Sequence, residues 1–144
     1  MFARNPLKPD PDFWMLLTSE EAFAVGPEAL ETVYMFLEMA GQVLPLPLKD
    51  KALAICNVLQ VYDCIDPERS EWRELPGIGP RGALLTPHFV PEHMQVSTLF
   101  KIPERLHAIY CWEATGDPED EFRSCVKKHH FKGLKFVPVW SDDE

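Results

Sequence analysis

The chain has 144 residues, with 14 Lys+Arg against 23 Asp+Glu and a formal net charge of −9. A composition that is 46% apolar and 11% aromatic excludes a disordered chain, and the apolar runs fall short of the ~20 residues a membrane-crossing helix needs. A field of this sign repels a phosphate backbone and draws in a basic protein surface.

The length predicts one domain over residues 1–144, with an extended arm at 1–12 and an acidic tail at 141–144. Residues 1–50 carry 8 acids and 3 bases, so the acid excess is steepest at the front. Pro6, Pro9 and Pro11 hold the arm out of helix. Phe13, Trp14, Met15, Leu16 and Leu17 form a short apolar run expected as a buried strand. Thr18 or Ser19 before Glu20 and Glu21 starts a helical pattern that Gly26 and Pro27 cut short.

Pro27 and Gly41 bracket a helix over residues 27–40. Its expected inward stripe is Leu30, Val33, Tyr34, Leu37 and Ala40, and Glu28, Glu31 and Glu38 make an acidic ridge outside. Pro45, Leu46 and Pro47 read as a stiff connector. A second helix is expected over residues 48–62, apolar almost all round and therefore central to the core. Residues 68–92 hold Pro76, Gly77, Gly79, Pro80, Gly82, Pro87 and Pro91, and read as loop.

Alternating residues then predict an antiparallel hairpin, 95–102 against 106–113, turning at Pro103, Glu104 and Arg105. A third helix is expected over 117–130, capped by Asp117, with Pro118 first inside and Phe122, Cys125, Val126 and His129 facing inward. Residues 134–140 should return as a strand, placed at an edge by Pro138. The expected fold class is α+β, an N-terminal helical pair packed with a C-terminal antiparallel β-β-α-β unit.

Several constellations could carry chemistry. Leu75, Pro76, Gly77, Ile78, Gly79, Pro80 and Arg81, with Ala83, resemble the turn of the helix-hairpin-helix family, which grips nucleic-acid backbones without reading sequence. That resemblance implies backbone N–H groups held toward a phosphate where a helix begins near Arg81, although Pro87 leaves such a helix two turns at most. Lys127, Lys128, His129, His130, Lys132 and Lys135, interleaved with Phe131 and Phe136, form the one basic cluster and are the second element of a nucleic-acid-associated alternative. Cys125 and His129 stand one helical turn apart and could share a metal ion completed by His130 or Cys111. His88, Glu92, His93 and Cys111 are the residues a small hydrolase or transferase would use. No phosphate loop, dinucleotide fingerprint, HExxH or nucleophile elbow accompanies them. The expectation is therefore a protein that is not an enzyme and needs no cofactor.

Cys56, Cys64, Cys111 and Cys125 form no CxxC pair, and the opening residues hold prolines and acids where a secretion signal would be basic and then apolar. Reduced, buried thiols and a cytoplasmic location are expected. What remains is surface character. Trp72, Phe89 and Trp140 sit in irregular stretches beside many carboxylates, a pattern of apolar anchors inside an acidic rim. In profile, though not by motif, the chain resembles inhibitor and immunity proteins, which neutralise a toxin or a nucleic-acid-processing enzyme by matching its basic groove. The expected function is non-enzymatic binding and inhibition of a basic protein partner, by an immunity protein, antitoxin or anti-defence inhibitor. The expected contact residues are Glu28, Glu31, Glu38, Glu68, Glu71, Trp72, Glu74, Trp140, Asp142 and Asp143.

Overall fold

Gly41–Leu48 and Lys51–Val58 are extended strands rather than connector and helix. In the computed structural model, which describes residues 11–16, 19–48, 51–75, 79–94 and 98–141, strand β3 (Gly41–Leu48) and strand β4 (Lys51–Val58) pair antiparallel from Gly41 opposite Val58 to Leu48 opposite Lys51. The central helix expected over 48–62 is thus a central strand. Ala54, Cys56 and Val58 turn into the core on one face, while Leu53, Ile55 and Asn57 take the other. A strand apolar on both faces has no clean alternation, and over so short a run it mimics a buried helix. The connector expected at Pro45 and Pro47 is part of β3, an edge strand. Proline is admissible there because the side of an edge strand that faces away from the sheet needs no donor.

Strands β1 (Phe13–Leu16) and β2 (Ser19–Val25) complete an antiparallel sheet in the order β1-β2-β4-β3. The expected strand at Phe13 is present, and the helical start at Ser19 is instead β2. Helix α1 (Pro27–Ala40) has the ends that Pro27 and Gly41 predict. Its inward residues are Ala29, Val33, Leu37 and Ala40, so the buried stripe is rotated from the expected one and Tyr34 is exposed. Helix and β3 join without a loop because Gly41 lies against β4. A Cβ there would stand 2.0 Å from the Asn57 carbonyl oxygen.

Two hairpins follow. The expected loop over 68–92 contains β5 (Glu71–Leu75) paired with β6 (Gly79–Thr86). The hairpin read over 95–102 and 106–113 is present as β7 (Leu99–Ile102) and β8 (Arg105–Cys111), with Arg105 in the strand rather than the turn and residues 95–97 outside the described residues. Both of its faces are covered. Leu99, Ile109 and Cys111 pack on a first core with Phe13, Phe23, Val33, Leu37 and Cys56, whereas Phe100, Ile102 and Tyr110 pack on a second with Tyr62, Cys64, Leu84 and Phe89.

Helix α2 (Phe122–Lys128) is half the length expected over 117–130. Asp117 begins a turn rather than the helix, its carbonyl accepting the N–H groups of Asp120 (3.2 Å) and Glu121 (2.9 Å). The strand expected over 134–140 forms no ladder. Its alternation is nonetheless used, as Leu134 and Phe136 seat on the first core and Trp140 on the second. Among the described residues the fold is α+β, with two α-helices and antiparallel sheets, but the helical pair and the β-β-α-β unit are not its arrangement. Residues 1–10 of the arm and 142–144 of the tail lie outside the described residues.

The start of β1 is tied to the segment after α2 at Lys132 and Gly133. The Asp12 and Phe13 N–H groups donate to the Lys132 carbonyl at 2.8 and 3.0 Å, and Lys132 N–H donates to Asp12 Oδ2 at 2.8 Å. Gly133 has φ +112°, and a Cβ would lie 2.0 Å from the Phe13 carbonyl oxygen. Gly133→Ala is expected to cost ~2 kcal/mol or more, since both the backbone conformation and the contact must give. Gly116 has φ +77° but open space around it, so Gly116→Ala should cost only ~1 kcal/mol. Urea denaturation of the two variants measures the difference.

Candidate partner-binding face

Helix α1 presents one face to solvent. A rotation of about 100° per residue sets Glu28, Glu31, Met35, Glu38 and Met39 opposite Val33 and Leu37. All three glutamates are exposed and, among the described residues, make no ion pair. Between them Met35 is 72% exposed and Met39 40%, with Tyr34 at the flank. The acidic ridge was legible from sequence; its apolar filling was not singled out, although the same helical spacing reveals it.

Beside this ridge a groove of about 620 Å³ runs between α1 and α2. Met35, Phe36 and Met39 form one wall, and Glu119, Asp120 and His129 stand along the other. Methionine side chains are flexible and polarizable, so such a wall adapts to the shape of what it meets.

The remaining predicted contact residues fall elsewhere. Glu68, Glu71 and Glu74 are exposed on and beside the β5–β6 hairpin, over the second core rather than next to α1, and Glu71 Oε2 accepts the Thr86 hydroxyl at 3.1 Å. Trp72 is half-buried, its Nε1 donating to the Pro67 carbonyl at 2.9 Å. Trp140 is half-buried too, with its ring 5.3 Å from His88, 5.8 Å from Phe89 and 6.2 Å from Trp112. Most of both indoles is thus spent on the protein's own packing. Asp142 and Asp143 lie outside the described residues.

The elements of the alternative readings are placed as follows. Gly77 and Ile78 lie outside the described residues, but strands β5 and β6, not helices, flank them. Arg81 therefore opens no helix, and the helix-hairpin-helix resemblance does not extend to the structure. Lys127, Lys128, His129 and His130 are exposed at the C-terminal end of α2, where they complement the helix dipole. Phe131 and Phe136 are half-buried on the first core, 6.3 Å from Phe13 and 6.2 Å from Phe122, instead of being offered as a stacking platform.

Cys125 Sγ and His129 Nδ1 are 3.9 Å apart, yet that nitrogen also sits 3.0 Å from the Cys125 carbonyl and its ring stacks on Phe131. Among the described residues no group of three His, Cys, Asp or Glu side chains is arranged to hold a metal ion. Burial pushes the Cys56 thiol up to about 12 and the Cys64 and Cys111 thiols up to about 11. Cys111 is therefore protonated at neutral pH, whereas a nucleophilic cysteine is a thiolate. His88 packs edge-on against Trp140 with its Nδ1 buried and unbonded, and His93 is exposed in the turn Pro91–His93.

Comparison with family models, curated proteins and solved structures returns no match. The surface itself must carry the functional reading. Its most distinctive element is a helix whose outer side mixes unpaired carboxylates with exposed methionine. Among the described residues, no helix is long and apolar enough to cross a membrane.

Proposed function

We propose that the protein is a non-enzymatic binding protein that engages a basic protein partner through the outer face of α1 and inhibits it, in the manner of an immunity protein, antitoxin or anti-defence inhibitor. The observation that carries this reading is Met35, 72% exposed within a frame of Glu28, Glu31 and Glu38. Apolar anchors supply most of the energy of an interface once water is excluded, and the charged rim sets encounter rate and partner choice. Carboxylates already paired with internal cations would have little left to offer; these three have no ion-pair partner among the described residues. The net charge of −9 extends the same field over the whole molecule. A reducing, cytoplasmic setting belongs to the proposal, and the four unpaired cysteines support it.

The test uses the full chain as bait in a lysate of its native cells, beside a Glu31→Lys/Glu38→Lys variant. Wild type is expected to retain a basic protein whose association rate falls at least tenfold as salt rises well past ~0.15 M, where the Debye length is about 8 Å. The double reversal is expected to lose that protein. Equal retention by both chains, or an association rate indifferent to salt, overturns the proposal.

A further inference from the structure

A second concavity has the opposite electrostatic character. It lies between β8 and the extended segment 135–141, encloses about 600 Å³, and is lined by Arg105, Arg123 and Lys135 together with Tyr110, Trp112 and Trp140. Volumes of this order hold small organic ligands. Glu113 answers one of the cations, its Oε2 2.7 Å from Arg123 Nη1, while the Arg123 guanidinium also sits over the Phe136 ring at 5.9 Å. Among the described residues Arg105 has no carboxylate partner. Its guanidinium is half-buried and donates to the Tyr110 hydroxyl at 3.1 Å and to the Leu84 carbonyl. Those neutral acceptors orient the group without neutralising it. Lys135 is exposed at the rim and likewise has no ion-pair partner among the described residues. Three cations against one carboxylate is a local reversal of sign in a chain of net charge −9.

The apolar lining has its own geometry. Trp112 and Trp140 are half-buried and stacked with 28° between their planes, leaving indole surface toward the cavity. A guanidinium fixed beside aromatic surface recognises two features at once: a flat ring, and an oxyanion displaced from it.

We infer that the cavity between β8 and residues 135–141 binds a planar organic anion, its ring on the Trp112–Trp140 pair and its carboxylate or phosphate on Arg105 and Lys135. The site is separate from the α1 face, and its occupancy does not depend on the partner. Tryptophan fluorescence of the full chain, titrated with AMP, salicylate, adenosine and inorganic phosphate, reads it directly. Saturable quenching is expected with AMP or with salicylate, the stronger of the two fixing whether the anion is a nucleotide phosphate or an aromatic carboxylate. Adenosine and inorganic phosphate, each lacking one feature, are expected to bind at least tenfold more weakly than that probe. Lys135→Glu, at an exposed position, should weaken the preferred probe at least tenfold and leave the circular dichroism unchanged; Arg105→Gln should do the same, whereas Glu31→Lys/Glu38→Lys should bind as wild type does. No saturable binding by either anion, or binding unmoved by Lys135→Glu, overturns the inference.

Discussion

Glu121→Ala is expected to remove ~3–5 kcal/mol of folding stability, because its buried carboxylate gathers four backbone N–H groups of the turn that leads into α2. Glu121 is only 5% exposed. Its side chain accepts the backbone N–H groups of Ala114, Thr115, Gly116 and Asp117, the last at 3.0 Å, together with the Thr115 hydroxyl at 3.3 Å. Four successive donors converging on one anion form a concave nest in which the carboxylate plays the part of a bound ion. Alanine leaves the Ala114, Thr115 and Gly116 N–H groups without that acceptor while Asp117 N–H keeps the Thr115 hydroxyl at 3.3 Å, and each donor that water does not reach carries a desolvation penalty of about 1–3 kcal/mol. Glu121→Gln keeps the shape but turns an amide NH2 toward N–H donors, so it should lose about half as much. Thermal unfolding followed by circular dichroism should place alanine below glutamine and glutamine below wild type, with Tm falling on the order of 10 °C for alanine. A loss under ~1 kcal/mol for alanine would show that the turn holds without its anion.

The same carboxylate predicts an acid limb. Burial alone would raise its pKa, but the four N–H groups outweigh burial and hold it below the ordinary 4.5. A carboxyl group with a lowered folded-state pKa binds protons more tightly when unfolded, so its contribution is complete above that ordinary value and declines as pH falls through the folded one. The stability gap between wild type and Glu121→Gln should therefore stay constant from neutral pH down to about 5 and narrow below about 4.5. Denaturant titrations at stepped pH measure it.

This turn also shows where sequence reasoning reaches its limit. Asp117, Pro118 and the acids after them carry every local signal of a helix start, and the helix still begins at Phe122. Glu121, an acid of the kind a first helical turn favours, reaches backward instead and takes the N–H groups of the preceding loop. A contact between a side chain and backbone four to seven residues earlier has no compositional signature. The strand β4 was hidden for a different reason: Ala52, Leu53, Ala54 and Ile55 favour helix locally, and only pairing with β2 and β3 overrides that preference. Where the chain's own punctuation is decisive the reading held, as at Pro27 and Gly41 around α1 and through the β7–β8 alternation. The candidate face followed from the same helix. Its carboxylates were placed correctly, but assigning Tyr34 inward concealed that Ala29 fills that side and that Met35 and Met39 face out.

Phe122→Ala is expected to have a comparable effect, ~3–5 kcal/mol, through lost packing rather than lost hydrogen bonds. Phe122 is 1% exposed and its ring lies 6.1 Å from Phe13, 6.5 Å from Phe23, 6.0 Å from Phe36 and 6.2 Å from Phe136. Those neighbours belong to β1, β2, α1 and the segment after α2, so one side chain clamps α2 onto the sheet and the first helix together. Alanine leaves a void that four rigid rings cannot collapse to fill, which places the cost at the upper end of the range for such truncations. Phe122→Leu keeps most of the volume and should lose only ~1–1.5 kcal/mol. The loss should also be local in its first expression. Amides of α2 should exchange at least tenfold faster in the alanine variant while those of β2 and β4 change less, because α2 spans only seven residues and Phe122 is the largest of the apolar side chains, with Cys125 and Val126, that it buries in the core. Since the methionine groove lies between α1 and α2, a loosened α2 should weaken partner capture even under conditions where the sheet remains folded. Full capture by a Phe122→Ala chain with fast-exchanging α2 amides would confine the interface to α1 and its carboxylates.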